Sequence, residues 1–246
     1  MLVPLGVLEL LTRSGILPGH TFPPVSVVAA RLLGELPHSG LWADVGLTLE
    51  GWGLGLALAT LLAVPAGILI GSSRLAYRML RAPIEFLRPI PSVALIPLAV
   101  LMFGTELPNK LFLVTFASLW PLLFQAIYGV QDVDPVAQDT ARSFGFGRMR
   151  RTYLVTLPSA MPYIATGLRI SSSVALILAV TSELVVGVPG LGRTINVAAS
   201  GGDYSLMYAL IVVTGLLGVA LNETFRRVEA RALRWHTSQR AEAGAG

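Results

Sequence analysis

Hydrophobic positions in this chain come in long unbroken runs rather than in the one-sided stripes of a soluble helix. A bilayer core of about 30 Å needs about 20 apolar residues at a helical rise of about 1.5 Å each. Segments at about 45–71, 85–103, 109–130 and 162–187 meet that length, with a fifth at about 204–226. A sixth crossing is left open by Met1 to Leu11, which is apolar but short and is interrupted by Thr12, Arg13 and Ser14. A truncated first helix, a re-entrant piece and an interfacial anchor all fit it, whereas the missing cationic start argues against a signal peptide. The pattern predicts an all-α membrane protein with five or six transmembrane helices.

The polar breaks are not alike. Arg74, Arg78, Arg81 and Arg88 surround the first inter-span loop, Arg142, Arg148, Arg150 and Arg151 the third, and Arg226, Arg227, Arg231, Arg234 and Arg240 follow the last span. These loops alternate to one side, while the other side keeps Lys110 and Arg193, with Arg13 and Arg31 before the first secure span. The bias of Arg and Lys toward the inside then places the Arg-rich loops and the C-terminus in the cytoplasm. The expected organisation is an N-terminal segment over 1–44, a membrane domain over 45–226 with a large loop at 131–160, and a cytoplasmic tail over 227–246.

Composition agrees. At 54% hydrophobic, 13% charged and a mean hydropathy of +0.70, the 246 residues lack the polar side chains to cover a soluble globule of that size. The formal charge of +4 would suit nucleic acid, but the arginines follow topology rather than one continuous basic face, so no nucleic-acid partner is expected. The chain has no Cys, which excludes disulfides and thiolate metal sites. It has no phosphate-binding Gly-x4-Gly-Lys-Ser/Thr run, and its single lysine is Lys110, so it does not itself bind and hydrolyse ATP in that manner. His20, His38 and His236 show no ligand spacing, and Asp132 and Asp134 read as caps for a following helix. Neither a metal nor a cofactor is expected in this chain.

Within the loop at 131–160, Asp134-Pro135 starts a turn, and Val136 to Phe144 form a short helix that ends near Gly145. A second helical start runs from Arg148 to Thr156, and Leu157-Pro158 is expected to break it. From the pattern alone the short helix is either a solvated connector or a docking element. Ala141 and Gly145, four apart, would share a helical face and let a partner approach closely.

The spacing carries more than the pattern does. Asp139-Thr140-Ala141, three residues, Gly145, nine residues, Val155, one residue and Leu157-Pro158 resemble the loop motif of the permeases of binding-protein-dependent ABC importers. That motif runs Glu-Ala-Ala, three residues, Gly, nine residues, Ile, one residue, Leu-Pro. Asp139, Thr140 and Val155 depart from it modestly, whereas Ala141, Gly145, Leu157 and Pro158 match as written. The resemblance extends from about Leu17 to Trp235; the run from Phe86 through Pro89, Pro91 and Pro97 to Leu98, and Ser182-Glu183-Leu184 with Gly190-Leu191-Gly192, are similar to the nitrate, sulfonate and taurine branch. Relatives in that branch have a full first helix where this chain begins with Met1.

The resemblance implies a type I importer permease fold, with the loop as a coupling helix in which Asp139, Thr140, Ala141, Arg142, Gly145, Leu157 and Pro158 meet the ATPase. It further implies a dimer of ATPase subunits that bind ATP and Mg, a second and identical permease subunit, an extracytoplasmic substrate-binding protein, and a place in the bacterial cytoplasmic (inner) membrane. The cargo implied is a small polar or anionic solute of the sulfonate, taurine or nitrate class. A self-sufficient secondary transporter is the alternative, but it should show inverted halves and several deep charges. A membrane-embedded enzyme would need a catalytic constellation.

Pathway residues are a separate question. Pro89, Pro91 and Pro97 remove backbone donors where the second span begins, so they mark either a pathway-lining break or a plain kink. Glu183 is the acid deep in an apolar run; it lines a pathway or gate, snorkels, or sits in a structural pair. Arg169 is too far along the same helix to reach it, about 21 Å, and is expected to snorkel. Gly51, Gly53, Gly55, Gly67 and Gly71 indicate close helix packing or a dimer seam.

Overall fold

A computed structural model of the chain describes residues 2–16 and 18–233. Arg234, His236 and Arg240 therefore lie outside the described residues. The helices run α1 Leu2–Arg13, α2 Val25–Glu35, α3 Ser39–Gly71, α4 Arg74–Leu87, a 3-10 turn Ser92–Leu95, α5 Ile96–Phe103, α6 Leu107–Gln131 and α7 Pro135–Ser143. They continue through α8 Arg148–Arg151, a π-helical turn Thr152–Thr156, α9 Leu157–Val186, α10 Leu191–Ser200 and α11 Tyr204–Ala232.

Among the described residues four helices are long and apolar enough to cross a membrane: Ser39–Gly71, Leu107–Gln131, Arg148–Val186 and Tyr204–Ala232, with mean hydropathies of 1.7 to 2.2 over their best windows. The fifth crossing is a bent pair, Arg74–Leu87 with Ser92–Phe103, at 78°. This refines the single run expected at 85–103. Helix α4 already starts at Arg74, and its polar stripe of Arg74, Arg78, Arg81 and Glu85 leaves Leu75, Met79 and Phe86 exposed on another face. The chain then breaks at Pro89 and Pro91, which supply no N–H. Helix α1 spans about 18 Å. It is tied to α2 through Glu9, which accepts from Ser26 Oγ at 2.8 Å and Arg13 Nε at 2.6 Å.

Helix α6 is the axis of the bundle and packs against α3 and α9. On α3, Gly51, Gly55, Ala59, Ala63, Gly67 and Gly71 recur every four residues and so form one face. A Cβ at Gly55 or Gly67 would meet Val114 or Ala126 of α6, so the small residues let the two backbones approach. This seam joins helices of one chain; Gly53 faces open space. Hydrogen bonds stitch the same faces: Ser171 Oγ donates to Ser118 O at 2.7 Å, Thr115 Oγ1 to Gly55 O at 3.2 Å and Trp52 Nε1 to Ser172 O at 3.0 Å. Helix α11 lies at the periphery, with 11% of its most apolar window buried. Arg169, expected to snorkel, gains a partner on another helix. It sits 3.4 Å from Glu229 of α11, which also accepts from Thr166 Oγ1 at 3.3 Å, because the fold brings a carboxylate to it from a neighbouring helix.

Candidate functional site

Helix α7 is defined by its two ends. Asp134 caps it, accepting from Val136 N at 2.8 Å, and Pro135 occupies the first turn, where its missing N–H costs nothing. At the other end Phe146 N donates to Ala141 O at 3.0 Å and Gly145 N to Arg142 O at 2.9 Å, the paired bonds of a Schellman motif, with Gly145 left-handed at φ 73°. Asp132 does not cap α7: it closes α6, and its carboxylate accepts from Tyr163 Oη at 2.7 Å and so ties the start of the loop to α9.

Two expectations change here. Gly145 does not share a helical face with Ala141, because it lies past the last helical residue, and a Cβ on it would meet nothing within 4 Å. Its glycine serves chain reversal. Ala141 is 6% exposed and anchors α7 to the rest of the chain, while Asp139, Thr140, Arg142 and Gly145 are exposed. The second correction concerns Leu157-Pro158, which does not break the helix. Leu157 N donates to Thr152 O, five residues back, and this π turn re-registers the ladder just ahead of Pro158, so Arg148 to Val186 continues as one apolar helix. Leu157 packs on the cluster of Ala126, Ile127, Val130 and Ala160.

The outer surface of this end is mixed. Val136, Phe144, Met149 and Tyr153 are exposed, with Phe144 at 75%. Asp139 and Arg142 pair at 2.9 Å in full view of solvent, which is worth little stability. Between α7, α4 and the ends of α3 and α6 lies a cleft of about 740 Å³ bordered by Arg74, Arg78, Arg142, Arg148 and Arg151.

At the opposite end of the bundle the structure assembles a group that the sequence reading did not. Lys110 Nζ donates to Glu183 Oε1 at 2.7 Å, Pro189 O at 2.9 Å and Leu47 O at 3.2 Å, which uses all three ammonium protons. The second carboxylate oxygen accepts from Thr48 Oγ1 at 2.9 Å and Gly192 N at 3.0 Å, and Thr48 Oγ1 in turn accepts from Leu191 N at 3.0 Å. Lys110 and Glu183 are 1% and 0% exposed. The carboxylate also sits at the N-terminus of α10, where orphan N–H groups and the helix dipole favour negative charge. The pair thus joins α3, α6, α9 and α10. Gly51 leaves room for the lysine stem and Gly190 for the carboxyl. The sequence held a usable signal: the chain's single lysine and its deep acid both fall near the same end of their spans.

The three prolines separate. Pro91 precedes the 3-10 turn and Pro97 lies in the first turn of α5, where its ring needs no donor. Pro89 sits in the break after α4. Of the three, Pro91 borders a cleft of about 570 Å³ between the broken span, α6 and α9. Glu183 is not among the residues lining that cleft.

Residues 63–234 match the family described as the binding-protein-dependent transport system inner membrane component. The chain is 32% identical over 219 residues to the taurine transport system permease protein of Escherichia coli (strain K12), covering 87% of this chain and 80% of that one. It is 28% identical to a nitrate import permease protein of Leptolyngbya laminosa, covering 81% and 72% of the two chains. With a putative aliphatic sulfonates transport permease protein of Bacillus subtilis (strain 168) the identity is 29% and the coverage 86% and 74%. Among solved structures, a chain of an inward-facing MetNI methionine ABC transporter superposes with a TM-score of 0.68 over 78% of this chain and 96% of that one; at 20% identity this speaks for the fold alone. Four to five apolar crossings, the broken second span and the match over most of its length make this chain a multi-pass membrane protein that belongs to the binding-protein-dependent transport system inner membrane component family.

Proposed function

We propose that this permease carries a small polar or anionic solute of the sulfonate, taurine or nitrate class across the bacterial cytoplasmic membrane, driven by ATP hydrolysis on a separate chain. Its Arg-rich loops face the cytoplasm, an extracytoplasmic binding protein delivers the solute, and two identical copies of the chain form the pathway between them. The observation that carries the reading is α7: a capped helix whose outer surface shows Val136 and Phe144 while Ala141 anchors its base. Such an element can seat in a cleft of the ATPase and pass a push to α6 and α9, the two helices on either side of it. The names of the taurine, nitrate and sulfonate relatives support the cargo class. Pro89, Pro91 and Pro97 support a pathway beside the broken span, since discontinuous helices often line one. Glu183 is assigned by this reading to holding the extracytoplasmic end closed and rigid rather than to touching solute.

The test is affinity purification of the tagged chain expressed with its neighbouring genes, followed by an ATPase assay. An ATPase should co-purify and respond to solute-loaded binding protein, and Phe144→Glu should lose it. Retention of a fully stimulated ATPase by that variant overturns the docking role of α7.

A further inference from the structure

The cleft beside the broken span holds a charge without a counter-charge. Arg88 lies over the Phe124 ring with its Cζ 4.6 Å from the centroid. Phe124 is seven residues before Gln131, so this guanidinium sits about 10 Å inside the end of α6. No carboxylate lines the cleft. One helical turn deeper, Trp120 borders the same cleft with its Nε1 shielded from water and without an acceptor. Ser92 and Gln125 add further polar groups, and Val174 and Leu178 of α9 form an apolar wall.

The bias of arginines toward one side of a membrane counts Arg88 with the first inter-span loop, and its place over Phe124 at the cleft is a further constraint. Arg81, Arg142, Arg226 and Arg227 each pair with a carboxylate, whereas Arg88, like Arg74, Arg78 and Arg148, is in no ion pair among the described residues. Arg88 is exposed on the isolated chain, and at about 10 Å inside the end of α6 a guanidinium is better accommodated by a wet cavity than by lipid.

We propose that this cleft is a transient binding site for the acid group of the transported solute. Arg88 offers paired N–H donors to two oxygens of a sulfonate or nitrate, and Ser92 and Gln125 supply further polar groups at the lining. Val174 and Leu178 receive a short alkyl chain. At about 570 Å³ the cleft exceeds such a solute, which suits a site that must release what it holds. The assignment rests on the anionic-cargo reading above, and it predicts that a cationic solute of equal size is disfavoured.

Because the chain contains no Cys, Ser92→Cys gives a single thiol in the cleft. The full chain in nanodiscs is treated with the sulfonatoethyl and the trimethylammonioethyl methanethiosulfonate reagents, one anionic and one cationic. The anionic reagent should react about tenfold faster, and adding Arg88→Gln should bring the two rates to about parity. Arg88→Lys should keep the preference, Arg81→Gln should not alter it, and excess ethanesulfonate should slow labelling of Ser92→Cys, less so when Arg88→Gln is present. No reaction at Ser92→Cys while Thr140→Cys reacts readily overturns the proposal, as does a rate ratio indifferent to Arg88→Gln. The Lys variant and the competition by ethanesulfonate keep the test open where Arg88→Gln does not elute as a folded species. Labelling needs neither ATPase nor binding protein, so its outcome stands apart from the co-purification that tests the importer reading.

Discussion

At one end of the bundle Lys110 and Glu183 are wholly enclosed, and the ammonium protons and both carboxylate oxygens are used within the chain. At the other end Arg74, Arg78, Arg148 and Arg151 ring an open cleft, and Phe144 and Val136 stand in solvent. The contrast is one of completeness. A buried ion pair adds little net stability over a well-packed apolar substitute, but its geometry admits one register of the helices that meet there. An exposed apolar helix face does nothing for the isolated chain and has value only against a partner. The closed end therefore reads as the block that fixes the register of its helices, and the open end as a surface left for a partner.

Breaking the closed end should give the largest effect. Lys110→Met strands the Glu183 carboxylate among α3, α9 and α10 and should cost about 3–5 kcal/mol, seen as loss of monodisperse protein and a lowered thermal midpoint. Lys110→Met with Glu183→Gln should recover most of that loss, since Gln still accepts from Thr48 and Gly192. A double variant no better than the single would show that the charges, not the hydrogen bonds, hold the four helices. Next comes Gly190→Ala, at φ 146° with its Cβ directed at the Glu183 carboxyl: about 2–3 kcal/mol in the same melting assay.

The open end should respond differently. Phe144→Glu should leave the melting midpoint unchanged and lower ATPase capture about tenfold, about 1.4 kcal/mol of binding. A fall in stability instead would erase the distinction between the two ends. Gly145→Ala should cost about 1 kcal/mol through left-handed strain alone, since the added methyl meets nothing. Faster amide exchange at Phe146 would report it, and ATPase capture should fall less than for Phe144→Glu. The smallest change is Asp139→Asn, which removes an exposed pair worth at most about 0.5 kcal/mol.

Particular residues show what was legible in advance. The crossings at 109–130 and 204–226 were readable because a bilayer imposes a length on apolar runs, and α6 and α11 include them. Asp134 was readable as a cap because capping is local, decided within three residues. The fate of Leu157-Pro158 was not, since the π turn before it is one of two local answers to a missing N–H, and packing on Ala126 and Val130 favours the one that keeps the helix whole. Arg169 with Glu229, and Lys110 with Glu183, join residues 60 and 73 positions apart, beyond any periodicity.

By itself the sequence determined that this is a helical membrane protein of a transport family with a short helix between two crossings. Run length, loop charge and motif spacing are one-dimensional quantities, and the bilayer converts them into topology. Which polar groups meet was decided only by the tertiary structure. In an apolar medium a charge survives where a partner from another helix reaches it, and only the packing of α3, α6, α9 and α10 brings Lys110 within 2.7 Å of Glu183. The same packing leaves Arg88 without a carboxylate beside the broken span.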